Sequence, residues 1–372
     1  MTVIDAPVLA QEKSVNRLAY LDSLRGIAAV LVVITHLWLP SLGAWSLPDH
    51  FLLDIGKMGV IWFFLLSGVV IPFSLHPGPG GARRFIVSRG LRLYPTYWLS
   101  MAVFVAMLAL TGAELPSGRA IMANLTMLQS AFGYDDVVGL YWTLFIEWVF
   151  YALCLGLMLM SRLHDTAFRA LCALGLLLVA LAMGMARMLL HRKLPVALPL
   201  GLSLMLFGSI WRDWILGQAT ATTKRCAVAL LGAYCVLLPP TFYAAYGFDT
   251  GLGEYWLRYL FTYALAISSF LVLTQRVRLQ QPLLLWLGTR SYSLYLLHPS
   301  MALLAGYWLG SAKPSILLAL VATGLAFVAA HVSYHYVEWP FMQLGKRLNG
   351  KARAPMPFIP ELQVPQETSN RS

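Results

Sequence analysis

The sequence predicts an all-α, polytopic integral membrane protein with about ten transmembrane helices around a central cavity. Three observations lead there. Of 372 residues, 59% are hydrophobic and only 12% are charged. A soluble domain covers its surface with about 25% charged residues, so most of this surface must face lipid. The apolar residues also fall in runs long enough to cross a bilayer core, which takes roughly 17–25 helical residues. Finally, the lysines and arginines gather in short clusters between those runs. The net charge of +11 therefore reads as a topology signal, and no nucleic-acid partner is expected.

In order, the runs are 24–40, 59–75, 94–112, 139–160, 168–190, 194–211, 226–246, 255–275, 283–309 and 314–338. The second and sixth are short, and the ninth carries Arg290 and His298. The amphipathic stretch 115–138 suits an interfacial or re-entrant segment. Residues 1–19 are polar, lack a cleavable signal, and read as a cytoplasmic lead into the first helix. The membrane domain is expected over 20–345, with a disordered cytoplasmic tail over 346–372. Placing both termini in the cytoplasm of a bacterial inner membrane puts 20 of the 27 lysines and arginines inside, as the positive-inside rule requires. The cluster from Arg187 to Lys193 lies on the wrong side, so a helix is miscounted there or those cations meet something anionic. Cys154, Cys172, Cys226 and Cys235 lie in or beside apolar runs, without metal-ligand spacing. No metal is expected.

Ionisable residues inside spans mark function more often than not. In "RGIAAVLVVITH", Arg25 and His36 are eleven residues apart. An ideal helix rotates about 1100° over that distance, three turns and a little more. Both side chains then share a face, which suggests one cavity running from the inner surface into the membrane. Taken singly, Arg25 also fits a snorkelling anchor and His36 an interhelical hydrogen bond. Glu147, in "YWTLFIEWVFY", falls near the expected depth of His36, where it would orient the ring and stabilise imidazolium or, protonated, only bridge helices. Trp142 in the same segment suits an interfacial belt or a substrate platform. In "GGARRFIVSRGLRLYPTYW", Arg89 and Arg92 are neighbours on a helix. With Arg83 and Arg84 they form an anchor or a site for a cytosolic polyphosphate ligand. Ser67 and Gly68, in "FFLLSG", allow close backbone approach by a helix or a ligand.

These segments, with "LDSLRGIAAVLVVITH", "WFFLLSGVVIPF", "SYSLYLLHP" and "YHYVEWPF", occur in an order and spacing that resembles the membrane-bound acyltransferase-3 family. Those are bacterial O-acyltransferases, often O-acetyltransferases, of surface polysaccharides and other glycoconjugates. The resemblance covers about 20–345. It implies a ten-helix catalytic domain that takes an acyl group from acetyl-CoA or another cytosolic acyl-CoA and passes it to a carbohydrate hydroxyl. Arg25 and His36 match the family's Arg-x10-His, and Arg89 and Arg92 its Arg-x-x-Arg. Trp142 and Glu147 look like its tryptophan and acidic residue, while His298 and Glu338 match recurrent positions taken as structural. Some relatives carry a fused extracytoplasmic domain. With none in this sequence, transfer is expected to finish alone or through a separate polysaccharide-assembly protein. Beside that stands a reading from another class, a polytopic proton-coupled transporter or flippase in which His36 and Glu147 relay protons.

Overall fold

A computed structural model describes residues 19–43, 53–247 and 255–349. The expected terminal segments lie outside those residues, apart from Ala19 and 346–349. Every regular element among the described residues is helical, and each of the ten apolar runs forms one long helix. They are α1 (Ala19–Leu42), α2 (Ile55–Val70), α3 (Gly81–Thr111), α5 (Trp142–Leu159), α6 (Thr166–Leu190), α7 (Ala197–Ile215), α8 (Ala221–Tyr246), α9 (Trp256–Val277), α10 (Pro282–Trp308) and α11 (Ile316–Leu348). The amphipathic stretch supplies the short α4 (Gly118–Leu125) and a 3-10 turn at Gln129–Phe132.

The starts follow ordinary capping chemistry. Asp54, Asp165, Thr220 and Ser315 each accept a bond from a first-turn backbone N–H, satisfying one of the donors a helix start leaves bare. Pro282 opens α10, where its missing N–H costs nothing. Three helices are not α-helical throughout: π turns interrupt α1 at Ile34–Trp38, α9 at Leu273–Val277 and α11 at Tyr334–Glu338. Such turns collect at functional sites. Here the first contains His36 and the third ends on Glu338.

Eight of the long helices have the length and apolarity to cross a membrane by themselves; α7 and α10 do not reach that hydropathy. Their surroundings explain the difference. Residues 199–211 of α7 are buried without a break, and so are Ser293–His298 of α10. Protein rather than lipid surrounds these two, so their sequences need no lipid-grade surface. Elsewhere Leu159, Leu171, Leu189, Val236 and Val328 stand exposed, as side chains facing lipid must. α3 has 31 residues, about 46 Å at 1.5 Å per residue, well beyond a 30 Å hydrocarbon core. The expected span at 94–112 is thus its apolar part only, and the same helix continues back to carry the four arginines.

α1 packs against α2 and α10, α2 against α7, and α10 against α11. Two of these seams are glycine seams. A Cβ on Gly68 would lie 1.9 Å from the Met205 carbonyl oxygen, and one on Gly208 would lie 2.3 Å from that of Leu65. Between α1 and α10, a Cβ on Gly288 would sit 2.0 Å from the Asp22 carbonyl, and one on Gly26 would sit 2.8 Å from Gly288 N. Small residues let helices associate where no hydrophobic effect drives them together. The close approach expected at Gly68 is made by a helix.

Cross-links place the helix ends. Asn349 donates to the Arg84 carbonyl at 3.0 Å, Tyr20 to that of Thr274 at 3.2 Å, and Arg212 to that of Val69 at 2.8 Å. Both ends of the described chain therefore lie at the arginine-bearing end of the bundle. At the far end the Asp54 N–H donates to Thr262 Oγ1 at 2.9 Å, and Arg258 donates to the Leu53 carbonyl at 3.3 Å.

Candidate active site

A cavity of about 740 Å³ opens among α1, α2, α3, α5 and α10 at the arginine end. Arg25, Arg89 and Arg92 line it together with Ser67, Glu147, Thr143, Ser291, Tyr292 and Tyr295. Arg25 is held by Asp22 at 2.9 Å, one turn earlier on α1. Arg89 donates to Ser74 Oγ at 2.6 Å and lies over the rings of Phe85 and Tyr151. Arg92 is within electrostatic reach of Glu147 and Glu338. Three guanidiniums and one carboxylate line this wall, with Asp22 and Glu338 set behind the lining. A groove of about 580 Å³ adjoins it, lined by Arg84, Ser74, His76 and Asn349 and sharing Arg89. The first turn of α3 starts there at Gly81, whose N–H donates to the Gly78 carbonyl at 3.0 Å, and carries no acidic residue, so the helix start adds positive potential.

His36 lines a different space. It faces a cavity of about 1320 Å³ at the far side, with Pro40, Ser41, Thr111, Ala302 and Tyr307 among its walls. Its Nδ1 is 2.9 Å from the Val32 carbonyl oxygen. A carbonyl only accepts, so Nδ1 carries the hydrogen, and in the neutral ring Nε2 keeps its lone pair. Ring against ring, 5.2 Å away, stands His298. It is fully buried, donates from Nδ1 to the Tyr295 carbonyl at 2.8 Å, and its Nε2 has no partner among the described residues. One turn back on α10, Tyr295 lines the inner cavity, with its hydroxyl 3.0 Å from Thr143 Oγ1. Phe63 meets Tyr295 edge-on at 5.8 Å. A layer of Phe63, Tyr295 and His298 thus separates the arginine cavity from the histidine cavity.

Several expectations need correction. One cavity shared by Arg25 and His36 is replaced by two, because the two side chains lie about 16 Å apart along α1 and the Phe63–Tyr295–His298 layer fills the space between them. Glu147 does not pair with His36. It lines the arginine cavity and accepts a 2.6 Å bond from Tyr151, while the backbone of Val32 orients the histidine. Arg83 is exposed and lines neither the arginine cavity nor the groove; Arg84 lines only the groove. Trp142 lies in a third pocket of about 680 Å³ with Lys57, Tyr246, Tyr259 and Tyr263, which shares the Val60 and Phe64 wall with the arginine cavity. Arg187, on the unexpected side, lies 4.7 Å over Tyr246, which stacks on Tyr259 at 4.1 Å. The aromatic column accommodates that cation.

The arginine pair at 89 and 92 and Ser67 line one cavity. Missed were Ser291, Tyr292 and Tyr295, and the contact of His298 with His36. Their signal was present in "SYSLYLLHP": positions 291, 295 and 298 recur at three- and four-residue spacing, one face of a helix. Glu338 is buried and accepts from Ser293 at 2.8 Å, which fixes the π-turned end of α11 against α10.

The fold and these cavities define a polytopic membrane protein whose interior holds an arginine-lined chamber and a histidine-lined one. Comparison with known proteins supplies the family. A model of the acyltransferase-3 type, described as an acyltransferase domain, matches residues 18–335, and the chain belongs to that family. Nodulation protein 10 of Rhizobium leguminosarum bv. viciae is 29% identical over 156 residues, 35% of this chain and 41% of that protein. The chain thus matches about two-fifths of the relative's length. No solved structure matches.

Proposed function

We propose that this acyltransferase moves an acyl group, acetyl in the simplest case, from a cytosolic acyl-CoA to a carbohydrate hydroxyl on the opposite side of the membrane. One observation carries the reading: three arginines line one cavity and His36, with a bare Nε2, lines another, with a single layer of side chains between them. Arg84, Arg89 and the start of α3 suit the phosphates of the donor, since paired guanidiniums and helix N-termini both favour phosphate oxygens. Arg25 and Arg92 continue that potential inward. A thioester brought through the Phe63–Tyr295 layer would meet His36.

His36 Nε2 takes the proton of the acceptor hydroxyl as its oxygen attacks the thioester carbonyl. The carbon–sulfur bond breaks, the ester forms, and the departing sulfur collects the proton from the imidazolium. The Val32 carbonyl holds the ring in the required tautomer throughout. The Thr143 hydroxyl donates to the Leu140 carbonyl and the Tyr295 hydroxyl to that carbonyl or to Thr143 Oγ1, so these two hydroxyls lock the partition rather than serve the carbonyl oxygen.

The donor side has its own test. Arg89→Gln and Arg92→Gln should each raise KM for acyl-CoA roughly tenfold, the worth of a hydrogen bond to a charged group, with kcat largely kept. Steady-state thiol release by purified protein reads both constants. A fall in kcat with KM unchanged would move these arginines from donor binding to the chemical step.

A further inference from the structure

α10 and α11 also meet on the outside of the bundle, at residues that line none of the cavities described above. The surface there is apolar, with Val328 and Val332 exposed on α11, so it faces lipid. On it sits Arg290. Its Nε donates to His331 Nδ1 at 3.2 Å, its Nη2 is 3.4 Å from His335 Nε2, and its Nη1 donates to the Trp286 carbonyl at 3.2 Å and to Thr289 Oγ1 at 2.8 Å. The guanidinium lies 4.4 Å from the Trp286 ring centre and 4.8 Å from that of Tyr334. Every acceptor it has is neutral. Among the described residues no carboxylate comes within ion-pair distance of it; Glu338 lies within electrostatic reach but is buried behind, shared with Arg92, and takes its bond from Ser293.

A cation on a lipid-facing surface is costly and ordinarily finds a counter-charge. Depth says which kind is at hand. His331 and His335 come 15 and 19 residues after Ile316, about 22 and 28 Å along the helix. With Ile316 at the far boundary, that places His335 at the arginine-end edge of a 30 Å hydrocarbon core and His331 about 8 Å inside it, so the cluster reaches the edge where headgroups lie. By accepting from Arg290, the two imidazoles keep their hydrogens on the opposite nitrogens, His331 Nε2 and His335 Nδ1. The cluster therefore offers one cation and two N–H donors, flanked by aromatic rings of the kind that prefer the interface. It is the complement of a phosphate oxyanion.

We propose that Arg290, His331 and His335 form a binding site for the phosphate of an anionic phospholipid headgroup in the leaflet at the arginine end. The site is independent of the acyl-transfer chemistry, although Arg290 directly precedes Ser291 and Tyr292 of the donor cavity wall on α10.

The test uses the full chain, delipidated in mild detergent and titrated with phosphatidylglycerol or phosphatidylcholine, with retained lipid read by native mass spectrometry. The parent should retain phosphatidylglycerol in preference. Arg290→Gln should weaken that retention about tenfold, and Arg290→Lys, which keeps the charge but loses the fork, should fall between. The doubly substituted His331→Phe, His335→Phe chain should lose part of the preference, and it carries the test if Arg290→Gln does not fold. Equal retention of both lipids by the parent, or a preference unchanged in the folded variants, would overturn the site. Displacement of the lipid by equimolar glycerol phosphate would assign the cluster to a soluble phosphate and overturn the lipid assignment.

Discussion

With His36→Ala, acceptor-dependent release of thiol from acyl-CoA should fall by about 10²–10⁴, the usual contribution of a positioned general base. Retention of acyl-CoA by the same protein should be unchanged, because the donor-side arginines line a different cavity from His36. His36→Gln should lose as much, since it keeps a polar side chain of similar size but has no group that takes a proton near neutral pH. Thiol release with and without a carbohydrate acceptor, beside equilibrium binding of the donor, reads both quantities. Parent-like turnover in either variant would reduce His36 to a packing neighbour of His298.

The second large effect is structural. Gly68→Val and Gly288→Val should each prevent a stable bundle, because their Cβ atoms would fall 1.9 and 2.0 Å from backbone carbonyl oxygens of the facing helix. Backbone cannot rotate aside as a side chain does, so the helices must part. Overpacking already costs about 1–3 kcal/mol where side chains alone must shift, and here the seam itself opens. Gly324→Val is the matched control, since nothing lies within 4 Å of its Cβ position. Thermal unfolding and size-exclusion profiles in detergent separate the three: the control should match the parent, and the other two should lose the monodisperse species.

Much of this architecture was legible in the residues. Hydropathy located all ten helices, since the bilayer sets a length that apolar runs reveal directly. It misjudged α3, whose arginine-rich start continues as helix beyond the apolar part. The arginine pair at 89 and 92 was legible because three-residue spacing fixes a shared face whatever surrounds it. What failed was continuity over longer distances. Turn counting puts Arg25 and His36 on one face of α1, but it says nothing of the side chains of α2 and α10 that close the space between them. Position along α5 says nothing of direction, and the Glu147 side chain turns to Tyr151 and the arginines. Gly68 announced its seam because bulky residues surround it; Gly288, in a more polar stretch, did not.

The central claim is that donor and acceptor reach the reaction from opposite ends of the bundle. Proteoliposomes of known protein orientation, with acyl-CoA confined to one side and an oligosaccharide panel to the other, test it most directly. Acylated carbohydrate should form only when the acyl-CoA is on the side of the arginine-bearing end and the oligosaccharide is on the side that His36 faces. Product formed only when both lie on the same side, or in neither arrangement while the protein still retains acyl-CoA, would contradict it.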